Sequence, residues 1–350
     1  MLAALAALLS IAHLHANKEG QPQYYGKTYD PDVCEGRSDI CEVLLDVPAK
    51  CAGAVSFCPI VFCLHSFGGY NVGYIHMCGP LVHERGFIGV YPQGDPLGLS
   101  PPPVHIVPGW NDGQSVNVSR TLLRCKYDDY NCTLDPNDGV FFAKIIASMQ
   151  AAGALGRFYS FGQSNGADFS QRLATNADRA HLPIVGIAAQ SCQLDSKPPR
   201  SGAGPFNYNQ PQEGHPPVAQ LSIHGTYDGA VPYMGGSKFD SSLYSLFSEP
   251  ASNSVWADHN GCTGPLTPTN VSSVYNSRTS LLYAASEENL TYTNGVATHW
   301  VWGGCPDVAP VEWYADLKAG HVGTVALGGK PTFEVVMDFF ERVENAFLSR

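Results

Sequence analysis

The chain has 350 residues, of which 44% are hydrophobic and 15% charged, and a formal net charge of −11 at pH 7. So many apolar residues can build a sizeable core, and the lack of any basic run argues against nucleic acid and anionic membrane surfaces as partners. One large domain over 17–350 is expected, because a single sheet with loop insertions accommodates this length.

Met1 to Ala16 is an apolar stretch too short to cross a membrane. It reads as a signal peptide, although it lacks a positive start and has Leu14 at the −3 position. The expected location is therefore extracellular, with no membrane anchor. Four N-x-S/T sequons, at Asn117, Asn131, Asn270 and Asn289, agree with export. Eleven cysteines fit an oxidising compartment. By spacing, the candidate bridges are Cys34 with Cys41, Cys51 with Cys58, and Cys125 with Cys132. An odd count leaves at least one thiol unpaired, and Cys63, inside an apolar run, is the candidate. No C-x-x-C is present and no histidine pair sits beside the cysteines at ligand spacing, so neither a metal nor a cofactor is expected.

The elements alternate along the chain. Glu42 to Val47 reads as a strand. Pro59 to Leu64 is a continuous apolar strand that runs into His65-Ser66-Phe67-Gly68-Gly69. A third strand follows at 87–92, and a helix at 139–151 carries Val140, Ala143, Ile146 and Ala147 at helical spacing. Arg157 to Phe161 is an aromatic-rich strand, and 167–177 is a helix with Phe169, Leu173 and Ala177 on one side. Gln220 to Asp228 reads as a strand entering a turn, and Val311 to Leu317 as the final strand. Ala319-Gly320-His321 is a loop, and a helix over 332–347 closes the chain. Three segments, 92–138, 195–217 and 248–304, read as polar or Pro-rich inserted loops. Alternation of this kind predicts an α/β architecture: a mostly parallel central sheet, helices on both faces, loop insertions.

The chemistry centres on Gly162-Gln163-Ser164-Asn165-Gly166, a G-x-S-x-G between a strand and a helix. That setting is a nucleophile elbow, which lifts a serine hydroxyl out at the end of the sheet. The turn is tight enough to favour glycine, and the helix N-terminus favours developing negative charge. A nucleophilic serine needs a base and an acid, expected in the order Ser, Asp or Glu, His. Asp228 lies just past a strand's carboxyl end and His321 after the last strand. Asp195 and Asp316 are rival acids. Among twelve histidines, His299 could line a pocket beside Trp300 and Trp302, His259 sits near Cys262, and His224 reads as a packed structural residue. The oxyanion donors expected are the backbone N–H groups of Phe67 and Asn165.

These stretches carry a family resemblance. IVFCLHSFGG (60–69), RGFIGVYPQG (85–94), GWND (109–112), GQSNGADFSQRLA (162–174), HGTYDGAVPYMGG (224–236), HNGC (259–262) and the final AGH (319–321) resemble the secreted polyhydroxybutyrate depolymerase and feruloyl esterase group of α/β-hydrolases. They span about 260 residues in the family's order. The resemblance implies the α/β-hydrolase fold and serine-dependent ester hydrolysis, with Ser164, Asp228 and His321 as triad. It implies polyesters or acyl esters of plant cell walls as substrates, and a Cys262–Cys305 bridge. It places Trp110 near the pocket, and His65 and Trp110 are taken as substrate contacts. The sequence departs from the family at His65-Ser66, where His-Gly is usual. It departs again after His321, where Val322-Gly323-Thr324 replaces Thr-Trp-Pro-Gly. The shape of the acyl pocket, the ester itself and the oligomeric state stay open. Two other readings stand beside this one: a peptidase or thioesterase on the same scaffold, and a non-catalytic hydrolase-fold binding protein.

Overall fold

The structure is a computed structural model. It describes residues 33, 42–51, 58–99, 105–110, 138–153, 157–175, 182–196, 210–211, 213–236, 246–277 and 291–350. The proposed signal segment, Cys34, Cys41, Cys125, Cys132 and the sequons at Asn117, Asn131 and Asn289 lie outside these residues. The chain divides into two compact units: Met1–Ser160 with Asp178–Ile184, and Phe161–Ala177 with Val185–Arg350.

In the first unit, β1 (Val43–Asp46) pairs antiparallel with β3 (Ile88–Pro92), and β2 (Ile60–Leu64) pairs parallel with β3. Every residue of β2 is buried, as an uninterrupted apolar run in a parallel sheet requires when both faces are covered. Helix α1 (Asn71–Arg85) packs on β2 and β3 and stops at Gly86, which takes the left-handed conformation at φ 72°. Strands β4 (Asp95–Leu99) and β5 (His105–Gly109) form a separate antiparallel ribbon within the segment expected to be loop. Helix α2 (Asp138–Ala151) supplies Phe142, whose ring lies 5.0 Å from Phe62 and 5.7 Å from Trp110. Cys51 and Cys58 form a disulfide, and Cys63 and Cys78 are free and buried.

The division between the units falls within β6 (Phe158–Gln163). In the second unit, helix α3 (Asn165–Thr175) leaves the end of β6, and β7 (Ile184–Gln190) pairs parallel with β8 (Ala219–Gly225). Helix α4 (Glu249–Asn260) is capped by Ser248, whose side chain accepts the Ala251 N–H. Strands β9 (Leu266–Tyr275) and β10 (Thr293–Trp302) pair antiparallel over ten residues, and β10 pairs antiparallel with β11 (Val311–Asp316). Strand β11 is parallel to β8. Two short strands, β12 (Thr324–Leu327) and β13 (Lys330–Pro331), precede helix α5 (Thr332–Leu348), whose Phe333 packs 5.1 Å from Phe161.

Two further expectations need correction. The segment 248–304 is not an inserted loop: it holds α4 and the paired strands β9 and β10. The strands escape a reading based on apolar alternation because β9 is mostly exposed from Thr267 to Ser272. Its β-branched Thr267, Thr269, Val271 and Val274 favour extended backbone without marking a buried face. Nor is β11 the last strand, since β12 and β13 follow it. The bridge between Cys262 and Cys305 is present and closes this pair of strands at its base. Parallel strands joined through helices, a sharp strand-to-helix turn at Ser164, and acidic and histidine loops after β8 and β11 make up the α/β-hydrolase fold.

Candidate active site

Ser164 sits between β6 and α3 with φ at 53°, a left-handed conformation rarely held by a residue with a side chain. Backbone bonds hold it there: the Ser164 N–H donates to Gln190 O at 2.8 Å, and Ser164 O accepts from Ala167 and Asp168. Gly162 permits the turn, because a Cβ at that position would lie 2.1 Å from Gly166 O. The strain is thus over-determined by the surroundings, as it must be to persist.

The triad expected from chain order is brought together within the second unit. Ser164 Oγ lies 2.8 Å from His321 Nε2, and His321 Nδ1 lies 2.7 Å from Asp228 Oδ2. With Nδ1–H donating to the carboxylate, Nε2 is left as the acceptor for the serine hydroxyl. Asp228 Oδ1 accepts the backbone N–H groups of Ala230 and Val231, each at 2.8 Å. Burial pushes the Asp228 carboxyl up. The hydrogen bonds and positive charge offered by His224 and His321 outweigh it, and the net result is about 2. Asp316, the rival acid, is displaced the other way: burial raises it and outweighs the hydrogen bonds from Ser273, whose Oγ lies 2.8 Å away, and from Thr324. Asp195 is buried beyond β7 in a backbone bridge to Leu246. His299 stacks on Tyr314 at 4.1 Å with Nε2 3.0 Å from Glu312, and His259 is held by Pro216 O.

A second set of residues, which sequence reading did not single out, positions the loops that carry Ser164 and His321. The carboxyl end of β7 acts as a clamp. Gln190 Nε2 donates to Thr324 O, and Gln190 Oε1 accepts from Gln163 Nε2. Ser191, itself at φ 60°, accepts the N–H of Val322 through its Oγ at 3.0 Å. Val322 follows His321 and has φ 51°, an unfavourable conformation for a β-branched residue. One strand end thereby fixes both the serine turn and the histidine loop. No short motif announces it, since a glutamine and a serine at a strand terminus are commonplace.

Asn165 opens α3, with its N–H at the helix N-terminus beside Ser164. Phe67 lies in the turn after β2, in the first unit, followed by Gly68 at φ 76° whose N–H donates to Pro108 O. The expected substrate contacts His65 and Trp110 are packed residues instead. Both are fully buried in the first unit. The Trp110 indole N–H donates to His65 O at 2.8 Å, and its ring lies against His65 and Phe142. His65 Nε2 accepts the Gly94 N–H at 2.8 Å. An indole enclosed in this way has no face left for a ligand ring, so the stacking role is withdrawn.

No protein-family model matches the chain, and no curated protein does. Among solved structures, one similar chain is the LpqC poly(3-hydroxybutyrate) depolymerase from Bordetella parapertussis, at 17% identity and a TM-score of 0.45, covering 73% of this chain and 83% of that one. Another is an S-formylglutathione hydrolase from Agrobacterium tumefaciens, at 12% identity and a TM-score of 0.40, covering 66% and 82%. A third is esterase PE8, at 18% identity and a TM-score of 0.35, covering 59% and 80%. Likeness at this level assigns no activity to the chain.

Proposed function

We propose that the protein is a secreted serine hydrolase of carboxylic esters. The observation that carries the reading is the unbroken hydrogen-bond chain from Ser164 Oγ through His321 to Asp228 at 2.8 and 2.7 Å, on a serine held in a strained turn at a helix N-terminus. Secretion is supported by the apolar start of the chain and by the disulfides Cys51–Cys58 and Cys262–Cys305. Polyesters or acyl esters of plant cell walls are the substrates that the resemblance in the sequence motifs suggests.

In this mechanism Ser164 Oγ attacks the ester carbonyl carbon while its proton passes to His321 Nε2. The carbonyl π pair moves onto oxygen and is met by backbone N–H groups, Asn165 being the donor beside the serine. Each such donor contributes roughly 3–4 kcal/mol to lowering the barrier. The tetrahedral intermediate collapses, the bond to the alkoxy oxygen breaks, and that oxygen takes the proton from His321 and leaves as the alcohol. Water then repeats the sequence on the acyl-serine, giving the acid and restoring the hydroxyl. Asp228 fixes the imidazole tautomer and offsets its transient charge without becoming protonated.

The test is twofold. A fluorophosphonate should label the wild type at Ser164 and leave Ser164→Ala untouched. Against p-nitrophenyl acetate, methyl ferulate, acetylated xylan and polyhydroxybutyrate film, Ser164→Ala should lose about 10⁵–10⁶ in turnover on whichever ester the wild type cleaves. Near-normal hydrolysis by the folded variant would remove the serine from the mechanism, and preference for an amide over its matched ester would make the protein a peptidase.

A further inference from the structure

The catalytic acid has a second histidine behind it. His224, at the carboxyl end of β8, is fully buried. Its Nε2 lies 3.2 Å from Asp228 Oδ2, the oxygen that also takes His321 Nδ1, and 2.9 Å from Val231 O. Its Nδ1 lies 2.8 Å from Glu249 Oε2. The remaining Glu249 oxygen accepts from Asn253 Nδ2 at 2.8 Å. Glu249 is the first residue of α4, where the helix dipole favours a negative charge.

Both ring nitrogens of His224 therefore face oxygens that accept. A neutral imidazole has one N–H and one lone pair, so it would point the lone pair at a carboxylate or a carbonyl. With Asp228 and Glu249 both ionised, only the imidazolium satisfies both sides. We infer that His224 is a buried imidazolium at neutral pH tying Asp228 to Glu249, a positioning residue that extends the triad by two groups and offsets the Asp228 charge that faces His321. The inference rests on the ester-hydrolase reading for its catalytic meaning.

The electrostatics agree with this geometry. Burial alone pushes His224 down, and the hydrogen bonds and charges of Asp228 and Glu249 overcome that and hold it at about 10. The titratable groups against the ring are Glu249 from α4, and Asp228 and Tyr233 from the segment after β8. The Tyr233 ring meets it edge-on at 5.6 Å and stays neutral, pushed up to about 12 by burial and by the Glu249 charge. On β11 its partner in register is Ala315, which has no charge to offer.

The consequence for His321 has a definite sign. Asp228 shares one oxygen between two N–H donors, and a cation already sits on that oxygen before His321 is protonated. His224 thus partly neutralises the charge that would favour an imidazolium at His321. Removing the cation should reverse this. If Glu249 then takes up a proton, the sign is unchanged, because Glu249 reaches His321 only through His224 and Asp228.

The test uses the full chain with ¹⁵N-labelled histidine. In the wild type, one histidine should keep both ring nitrogens protonated at pH 8–9, and that signal should vanish in His224→Gln. His224→Gln leaves Glu249 buried without its partner and can fail to fold. The double variant His224→Gln/Glu249→Gln removes both charges and keeps the core neutral. In either variant the His321 ring signals should titrate at higher pH than in the wild type. The acidic limb of kcat/KM should move up with them, by on the order of one pH unit. A role confined to packing would lower stability and leave both midpoints where they were. A neutral His224 ring at pH 8, or an unmoved His321 titration in the folded double variant, overturns the inference. Fluorophosphonate labelling of the wild type separates the two readings. Labelling with no shift of His321 defeats the role given to His224 and spares the esterase. A shift without labelling or hydrolysis defeats the esterase and leaves the charge arrangement standing.

Discussion

Two buried histidines stand at the carboxyl ends of parallel strands, and they are opposites. His65, just beyond β2, has Nδ1 2.9 Å from Ser66 O while its Nε2 accepts the Gly94 N–H at 2.8 Å. One nitrogen donates and the other accepts, which is the pattern of a neutral ring. His224, on β8, is equally buried but lies between two carboxylates. Burial alone would make both neutral. What differs is the partner: a backbone amide can only donate, and a carboxylate can only accept. His65 is thereby a rivet joining the turn after β2 to the Gly94 backbone, and His224 a charged link in a chain that ends at Ser164.

The contrast is broken most severely by cutting the charged chain. Asp228→Asn keeps the shape of the side chain and removes the charge between two histidines. Turnover should fall by about 10⁴, because the amide cannot hold His321 in the working tautomer. Steady-state kinetics on the ester found best for the wild type would measure it. A loss below tenfold would mean that another carboxylate supports His321. On the neutral side the corresponding experiment is Trp110→Ala, which empties the space beside His65. It should cost about 3–5 kcal/mol of stability, read from denaturant melts. It should leave the ranking of a p-nitrophenyl ester chain-length series unchanged. Unaltered stability with a changed ranking would return Trp110 to the substrate pocket.

The same contrast shows what a sequence can carry. The turn at Ser164 and the loop positions of Asp228 and His321 are legible because their order and their places after strands are local properties. Strand β2 is legible because its apolar run is continuous, β6 because it is rich in aromatic residues, and β8 because it runs into a turn. The charge on His224 was not, because Glu249 lies 25 residues away on a helix inside a segment that reads as loop. HSFGG and HGTYD look alike as strand-ending motifs, and nothing in either states whether an amide or a carboxylate will meet the ring. Trp110 was misjudged for a related reason: an isolated tryptophan beside glycine looks the same whether it lines a pocket or fills a core. The Gln190-Ser191 clamp was invisible because its work is done through contacts to residues more than a hundred positions later.

The smallest expected effect is the most discriminating one, a difference in alkaline stability. His224 titrates at about 10 in the folded protein, against about 6.5 for an unperturbed histidine. A group raised on folding stabilises fully below its unfolded value and loses that contribution as pH climbs to its folded value. The wild type should therefore lose stability between roughly pH 6.5 and 10 on this account. Asp228 works in the reverse sense: lowered on folding to about 2, it stabilises at neutral pH and loses its share as pH falls from about 4 toward that value. Lysines and tyrosines also titrate in alkali, so the wild-type curve alone decides nothing. The comparison is the fall in Tm from pH 7 to pH 9.5 in the wild type, in His224→Gln/Glu249→Gln, and in a His65→Gln variant. The double variant should be flatter than the wild type by on the order of 5 °C. His65→Gln should start lower, having disturbed the bond to Gly94, and then run parallel to the wild type, because a ring that is neutral in the fold has no proton to lose. Parallel curves for all three would mean that His224 is as neutral as His65, and the distinction drawn between the two would collapse.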